Sequence, residues 1–373
     1  MRTKSCAVIS HVPLTARVAL TLAAVIAAPN LTPGQVLEPP PASLQLPPPT
    51  HRGTVERVKV HGQSLEGNLE GDSPDRDVSV YLPPSYKTHP KQRYPVLYLL
   101  HGYFDRDDNW FGAKHIFVDA PLAIDRAIAS GAREMIVVMP DAHTAYMGSM
   151  YSNSVTTGNW EAFITHDLVS YIDSHYRTLP GRPSRGLAGH SMGGYGTIRI
   201  GMKYPEAFSS LYAMSACCLA PNPIAQGPGM EKAEAIRSTA EVAKVDFGTG
   251  AILAMAAAWS PDPQKPPLYL DLPVADGKPQ PAVVARWDAN APLAMIDQYV
   301  HTLKKIDAVA MDVGTRDRLM PSIQELDARM TLYGIEHSFE TYDGTHVSGI
   351  QMRLENYVIP YFSKHLSFGR TKP

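Results

Sequence analysis

Between Arg185 and Gly196 the chain reads RGLAGHSMGGYG, a short apolar strand running directly into a serine with glycines on both sides, followed at once by a helical segment. Few folds accommodate that order. The pentapeptide GHSMG fits GxSxG, a pattern that chance produces often, but a strand before it and a helix after it make the setting of a nucleophile elbow. In such a turn the serine takes a strained backbone conformation and its hydroxyl projects above a sheet. Strand and helix then pass so close that flanking side chains would collide, and Gly189 and Gly193 remove them. The alternative is a glycine-rich turn that merely contains a serine.

The rest of the chain supplies the sheet this requires. TVERVKVHGQSL and DRDVSVYLPPSY alternate as strands, the second stopped by Pro83 and Pro84, and read as an antiparallel opening pair. YPVLYLLHG (94–102) and EMIVVMPDA (134–142) are continuous apolar runs of strand length, as expected for strands covered on both faces. LAIDRAIASG between them and NWEAFITHDLVSYIDSHYR (159–177) have helical spacing. After the serine come strand SSLYAMSACC, strand IDAVAMDVG (306–314), helix SIQELDARMTLYG, strand SFETYDG and a last helix around GIQMRLENYVIPYF. Strand–helix alternation predicts an α/β sandwich with a mostly parallel sheet flanked by helices. Residues 221–295 break the rhythm with an alanine-rich AILAMAAAWS and a proline-broken PPLYLDLPV, and are expected to be a cap-like insertion over the active-site edge. No internal repeat is visible.

A serine hydroxyl needs a base and the base needs an orienting acid, and in this architecture both follow the serine, acid first, on loops after later strands. HSFETYDG leads directly into THVSG, which puts His346 in such a loop. His337 enters a strand and His365 lies on a helical tail. DAVAMDVGTRDRLM offers two acids: Asp312 inside or at the end of its strand, and Asp317 in the loop beyond Gly314, where a carboxylate can turn toward a histidine. Asp317 is the preferred acid. The backbone N–H of Met192, opening the helix, is one oxyanion donor. The second is the N–H of Tyr103, where Gly102 lets the chain turn after LYLLHG. His101 precedes the serine and ends a strand, so it is read as structural, held by backbone hydrogen bonds. Trp110, Trp160 and Trp259 are candidates for lining the substrate cleft, with plain core the alternative.

Other chemistries find no support. HExxH, CxxC and EF-hand spacings are absent, so neither a metal nor any other cofactor is expected. GGYG is not followed by GK[ST] and is no phosphate loop. A formal net charge of -2 without a basic stripe gives no reason to expect nucleic acid as a partner.

At the N-terminus, Arg2, Lys4 and Arg17 precede the apolar VALTLAAVIAA (18–28), which ends in small residues and is too short to cross a bilayer comfortably. Residues 1–28 are therefore expected to be a signal peptide, and the product an exported protein, periplasmic or extracellular, with no stable membrane insertion. Residues 29–53 are expected to be a disordered proline-rich linker, with eight prolines between Pro29 and Thr50. The catalytic domain is placed at 54–368. Cys217 and Cys218 are adjacent, where a disulfide would close a strained ring, and are expected to be thiols, mostly buried.

With HGYFDRDDNW, GHSMGGYG, GTRD and GTH in this order, the chain resembles the esterase D type family of α/β hydrolases, which includes feruloyl esterases, S-formylglutathione hydrolases, enterochelin esterases and secreted mycolyltransferase antigens. The likeness runs from about Thr54 to Phe368 and takes in VYLPPSY, YPVLYLLHG, NWEAF and KYPEAFSSLYAMS. It implies an α/β-hydrolase fold with Ser191 as nucleophile, Asp317 as acid, His346 as base, and the amides of Tyr103 and Met192 as oxyanion donors. Formylglutathione hydrolases typically read SMGGHG where this chain has Tyr195, and the mycolyltransferase antigens lack the GGYG run. The opening motifs look most like secreted feruloyl or acetyl esterases. The expectation is a serine carboxylesterase acting on a small-molecule or polysaccharide-linked ester. Acyl transfer to an alcohol or sugar, and a non-catalytic binding protein on a hydrolase scaffold, are the alternatives.

Overall fold

A computed structural model describes residues 49–112, 118–221 and 228–369. The expected signal peptide and most of the expected linker lie outside the described residues. Eight strands form the central sheet: β1 (Thr54–His61), β2 (Asp75–Leu82), β3 (Val96–Leu100), β4 (Ile136–Pro140), β5 (Arg185–His190), β6 (Ser210–Met214), β7 (Ala308–Gly314) and β8 (Ser338–Tyr342). Their spatial order is β1-β2-β4-β3-β5-β6-β7-β8. β2 pairs antiparallel with β1 and β4, and every pairing from β4 to β8 is parallel.

The apolar runs become central strands because both faces of the sheet are covered. All five residues of β3, VLYLL, are buried. Val96, Tyr98 and Leu100 belong to the larger apolar cluster on one face, Leu97 and Leu99 to the cluster on the other, as side-chain alternation along a strand requires. β1 at one edge is mostly exposed, and there only partial polarity survives in its sequence. The crossovers run through helices α1 (Ala120–Ala129), α2 (160–175), α3 (Met192–Lys203), α5 (Pro292–Leu303) and α6 (Met320–Leu332); α4 (Phe247–Trp259) belongs to the 221–295 segment, and α7 (350–365) follows the last strand. Among the described residues no helix is long and apolar enough to cross a membrane.

Segment 221–295 contributes α4, short helices at Pro228–Ala235 and Pro281–Asp288, and a two-residue-per-strand ribbon. Its packing on the serine's helix is polar and aromatic together: the Tyr195 hydroxyl donates to the Asn290 carbonyl (2.9 Å), and the Tyr195 ring lies 5.6 Å from Trp259.

The loop before β2 holds a buried carboxyl. Both oxygens of Glu70 are sealed from water. Burial, reinforced by the Asp72 carboxylate and opposed by Arg76, pushes its pKa up to about 9. The carboxyl is thus neutral in the folded chain at neutral pH and ionised in the unfolded one. Its contribution to stability is complete below about pH 4.5 and is lost as pH rises toward 9. Glu70→Gln is expected to leave urea stability nearly unchanged at pH 5 and to raise it on the order of 2 kcal/mol at pH 8. An equal effect at both pH values would contradict the neutral carboxyl.

Candidate active site

Ser191 stands between β5 and α3 with φ 55° and ψ -112°. That left-handed conformation is costly for a serine. It is held by backbone bonds: Ser191 N–H donates to the Met214 carbonyl (3.0 Å), and the Ser191 carbonyl accepts from Tyr195 (2.9 Å) and Cys217 (3.1 Å). The two glycines expected to make room do so. A Cβ on Gly193 would lie 2.2 Å from the Leu100 carbonyl oxygen, and one on Gly189 would lie 2.4 Å from the carbonyl of Gly193. Strand β3, strand β5 and the first turn of α3 therefore meet backbone to backbone under the serine.

His346 lies in the loop after β8. Its Nε2 is 2.9 Å from Ser191 Oγ and its Nδ1 is 2.8 Å from Asp317 Oδ2. The loop of Asp317 and the loop of His346 are brought together at Gly314, where a Cβ would be 2.4 Å from the Gly344 carbonyl oxygen. Arg316 N–H also donates to that carbonyl (2.9 Å). Asp317 is 6% exposed, and its Oδ1 accepts from the Leu319 amide (2.9 Å). Burial works against its charge, but the hydrogen bonds from His346 and the Leu319 amide outweigh it, so the pKa is lowered. An ionised Asp317 must accept, so Nδ1 of His346 carries the hydrogen and Nε2 presents its lone pair to the serine hydroxyl.

The rival acid is occupied elsewhere. Asp312, buried on β7, accepts through Oδ2 from Arg353 Nε (2.7 Å) and from the Tyr212 hydroxyl (2.8 Å). Arg353 also bonds Glu340 (2.9 Å). Asp312 thus lies below the sheet edge in an ion-pair cluster, while Asp317 sits in the loop beyond it.

On the opposite side of Ser191 runs the turn after β3. A Cβ on Gly102 would be 3.5 Å from Ser191 Cβ, so the Gly102–Tyr103 backbone borders the serine directly. Met192 is the first residue of α3, where amides have no intrahelical acceptor and the helix dipole is positive. The Tyr103 ring is gripped by the 221–295 segment: it packs edge-on against Phe247 at 5.2 Å, and its hydroxyl oxygen would lie 2.6 Å from a Cβ on Gly250. Both oxyanion candidates thus adjoin the serine, and the insertion reaches one of them through its side chain.

The three tryptophans lie in the core, the alternative given beside their cleft-lining role. Trp160 is 1% exposed, donates to the Thr157 carbonyl (2.7 Å), and packs on Phe163. Trp259 is buried between Tyr195 and Trp287 and donates to Ser152 Oγ (3.2 Å). Trp110 is also buried, beside a cavity about one water in size that it shares with His101, Asp105 and His190. All three fill the interior instead of an open cleft, because large apolar rings gain most from burial there. Cys217 and Cys218 are free thiols, half-buried instead of mostly buried, with their sulfurs 2.7 Å apart. His101 is tied down as expected, Nδ1 to the Gly102 carbonyl and Nε2 accepting from the Ala142 amide (both 2.8 Å).

One contact was not anticipated. His190, the residue before the serine, places Nε2 2.8 Å from the His346 carbonyl oxygen. The only sequence signal for it is its place inside GHSMG.

A family model described as "Putative esterase" matches residues 73–350. Esterase MT1326 of Mycobacterium tuberculosis (strain CDC 1551) is 28% identical over 281 residues, covering 72% of this chain and 52% of that protein. An endo-1,4-beta-xylanase/feruloyl esterase of Xylanibacter ruminicola is 32% identical over 162 residues, 42% of this chain and 21% of that protein. The chain thus spans about half the length of its mycobacterial relative. Among solved structures, a ferulic acid esterase superposes with TM-score 0.59 at 22% identity, covering 85% of this chain and all of the other, and shares its α/β-hydrolase fold.

Proposed function

The chain belongs to the esterase family whose model it matches, and from that premise we propose that it is an exported serine carboxylic-ester hydrolase with Ser191, His346 and Asp317 as its triad. The observation that carries this reading is the unbroken relay Asp317–His346–Ser191, with the serine in a strained turn. His346 Nε2 takes the proton as Ser191 Oγ attacks the ester carbonyl. The tetrahedral oxyanion receives the N–H groups of Tyr103 and Met192. Collapse expels the alcohol, which leaves with the proton from His346. Water then adds by the same route and releases the acid. Asp317 keeps the tautomer and stabilises the imidazolium.

The feruloyl esterase named among the relatives supports feruloyl, acetyl or other small acyl esters, free or on a polysaccharide. Export rests on residues 1–28. Rates on short and long p-nitrophenyl esters, methyl ferulate and acetylated xylan, with Ser191→Ala as blank, test the reading. No turnover on any of them would overturn it.

The two acids separate by experiment. Asp317→Asn is expected to lower kcat about 10³- to 10⁴-fold while unfolding like wild type, because the wrong histidine tautomer is then favoured. Asp312→Asn is expected to cost on the order of 3 kcal/mol in urea unfolding, leaving buried Arg353 undercompensated, with kcat of the folded protein close to normal. The reverse pattern would assign the acid to Asp312.

A further inference from the structure

We propose that His190 is a positioning residue that fixes the loop carrying His346, an inference that rests on the triad reading above. His190 is 3% exposed. A backbone carbonyl can only accept, so the 2.8 Å contact to the His346 oxygen puts the hydrogen of His190 on Nε2. The two imidazole rings lie 4.8 Å apart. A Cβ on Gly102 would be 3.6 Å from His190 Nδ1. One buried ring therefore lies beside the turn next to the serine, ends the strand that leads into the serine, and bonds the backbone of the base.

Its neutrality is part of the arrangement. Burial, followed by the neighbouring His346 ring, pushes the His190 pKa down to about 4, against the opposing pull of its own hydrogen bond to the His346 carbonyl and, after it, of Asp105 and Asp317. A second cation at this distance would oppose the imidazolium that forms on His346 during proton transfer. His190 supplies a donor without a charge. The His346 side chain is 35% exposed; its loop is held to the Asp317 loop by the Arg316–Gly344 bond (2.9 Å) and internally by Thr345 N–H to Ser348 Oγ (2.6 Å), while the His346 carbonyl itself is held by His190. A shift of the carbonyl anchor moves Nε2 away from Ser191, and displacements of about 1 Å in a catalytic contact cost on the order of 100-fold in rate.

The test compares two amides. His190→Gln, whose amide nitrogen reaches about as far as Nε2, is expected to keep kcat on p-nitrophenyl acetate within about 5-fold of wild type. His190→Asn, one methylene shorter, is expected to lose about 30- to 100-fold in kcat with KM within about 3-fold. Fluorophosphonate labelling should slow in parallel, measured on the monodisperse folded fraction so that lost protein does not count as lost rate. Equal kcat and equal labelling in the two variants would overturn the role of His190. Absence of Ser191-dependent labelling in wild type would instead overturn the triad reading, and this inference with it.

Discussion

Ser191→Ala is expected to lower kcat by about 10⁵- to 10⁶-fold on any ester the protein turns over, leaving unfolding behaviour close to wild type. The size follows from the geometry. On the proposed mechanism Oγ, at hydrogen-bond distance from His346 Nε2 (2.9 Å), forms the acyl intermediate, so its removal leaves an oxyanion pocket and a base without a nucleophile. Residual rate then comes from substrate binding and the oxyanion donors alone, which in other serine enzymes still exceeds water by about 10³-fold. Alanine also relieves little of the strain, since φ of 55° is unfavourable for any side chain with a Cβ. Fluorophosphonate labelling must vanish in this variant; labelling that persists would move the nucleophile elsewhere.

Gly193→Ala is expected to have the largest effect on folding, about 3 kcal/mol or more, seen as a large fall in the urea midpoint or as insoluble protein. Its Cβ would meet the carbonyl oxygen and carbon of Leu100 at 2.2 and 2.6 Å. These are backbone atoms of a central strand with neighbours on both sides, so nothing can swing aside. Gly248→Ala is the control: its nearest heavy atom would be Asp246 Oδ1 at an ordinary 3.5 Å, and in the first turn of α4 the change should be neutral or mildly stabilising. Similar losses at both positions would mean that close backbone approach is not what the elbow glycines permit.

Where the chain could be read without its structure, burial on both faces made it so. VLYLL, IVVMP and SLYAM have every residue buried, which leaves mostly apolar runs of strand length, as strands covered on both faces produce. Ser191, Asp317 and His346 were legible because each sits where a strand ends, a position that local composition marks. His190 was not, since its partner lies 156 residues away and a carbonyl leaves no trace in sequence. The Arg353–Asp312 pair was hidden for the same reason. In α4 the helix FGTGAILAMAAAW is buried on nearly all sides, so its apolar residues show no stripe to say which neighbour they face. Tryptophan misled because an aromatic ring in sequence looks the same whether it fills a core or faces a substrate.

The distance along the chain between serine and base has a consequence in time. With His346 155 positions after Ser191, and parallel strands β6 to β8 stacking outward from the elbow, synthesis delivers the serine long before its base. Long-range parallel pairing is among the slower events of folding. On the proposed triad, the serine hydroxyl is an ordinary alcohol until β8 docks, and a nascent or truncated chain is expected to be inert toward the esters around it. Recovered activity in a refolding experiment would therefore report completion of the last edge of the sheet, after the spectroscopic signals of helix and core have already returned.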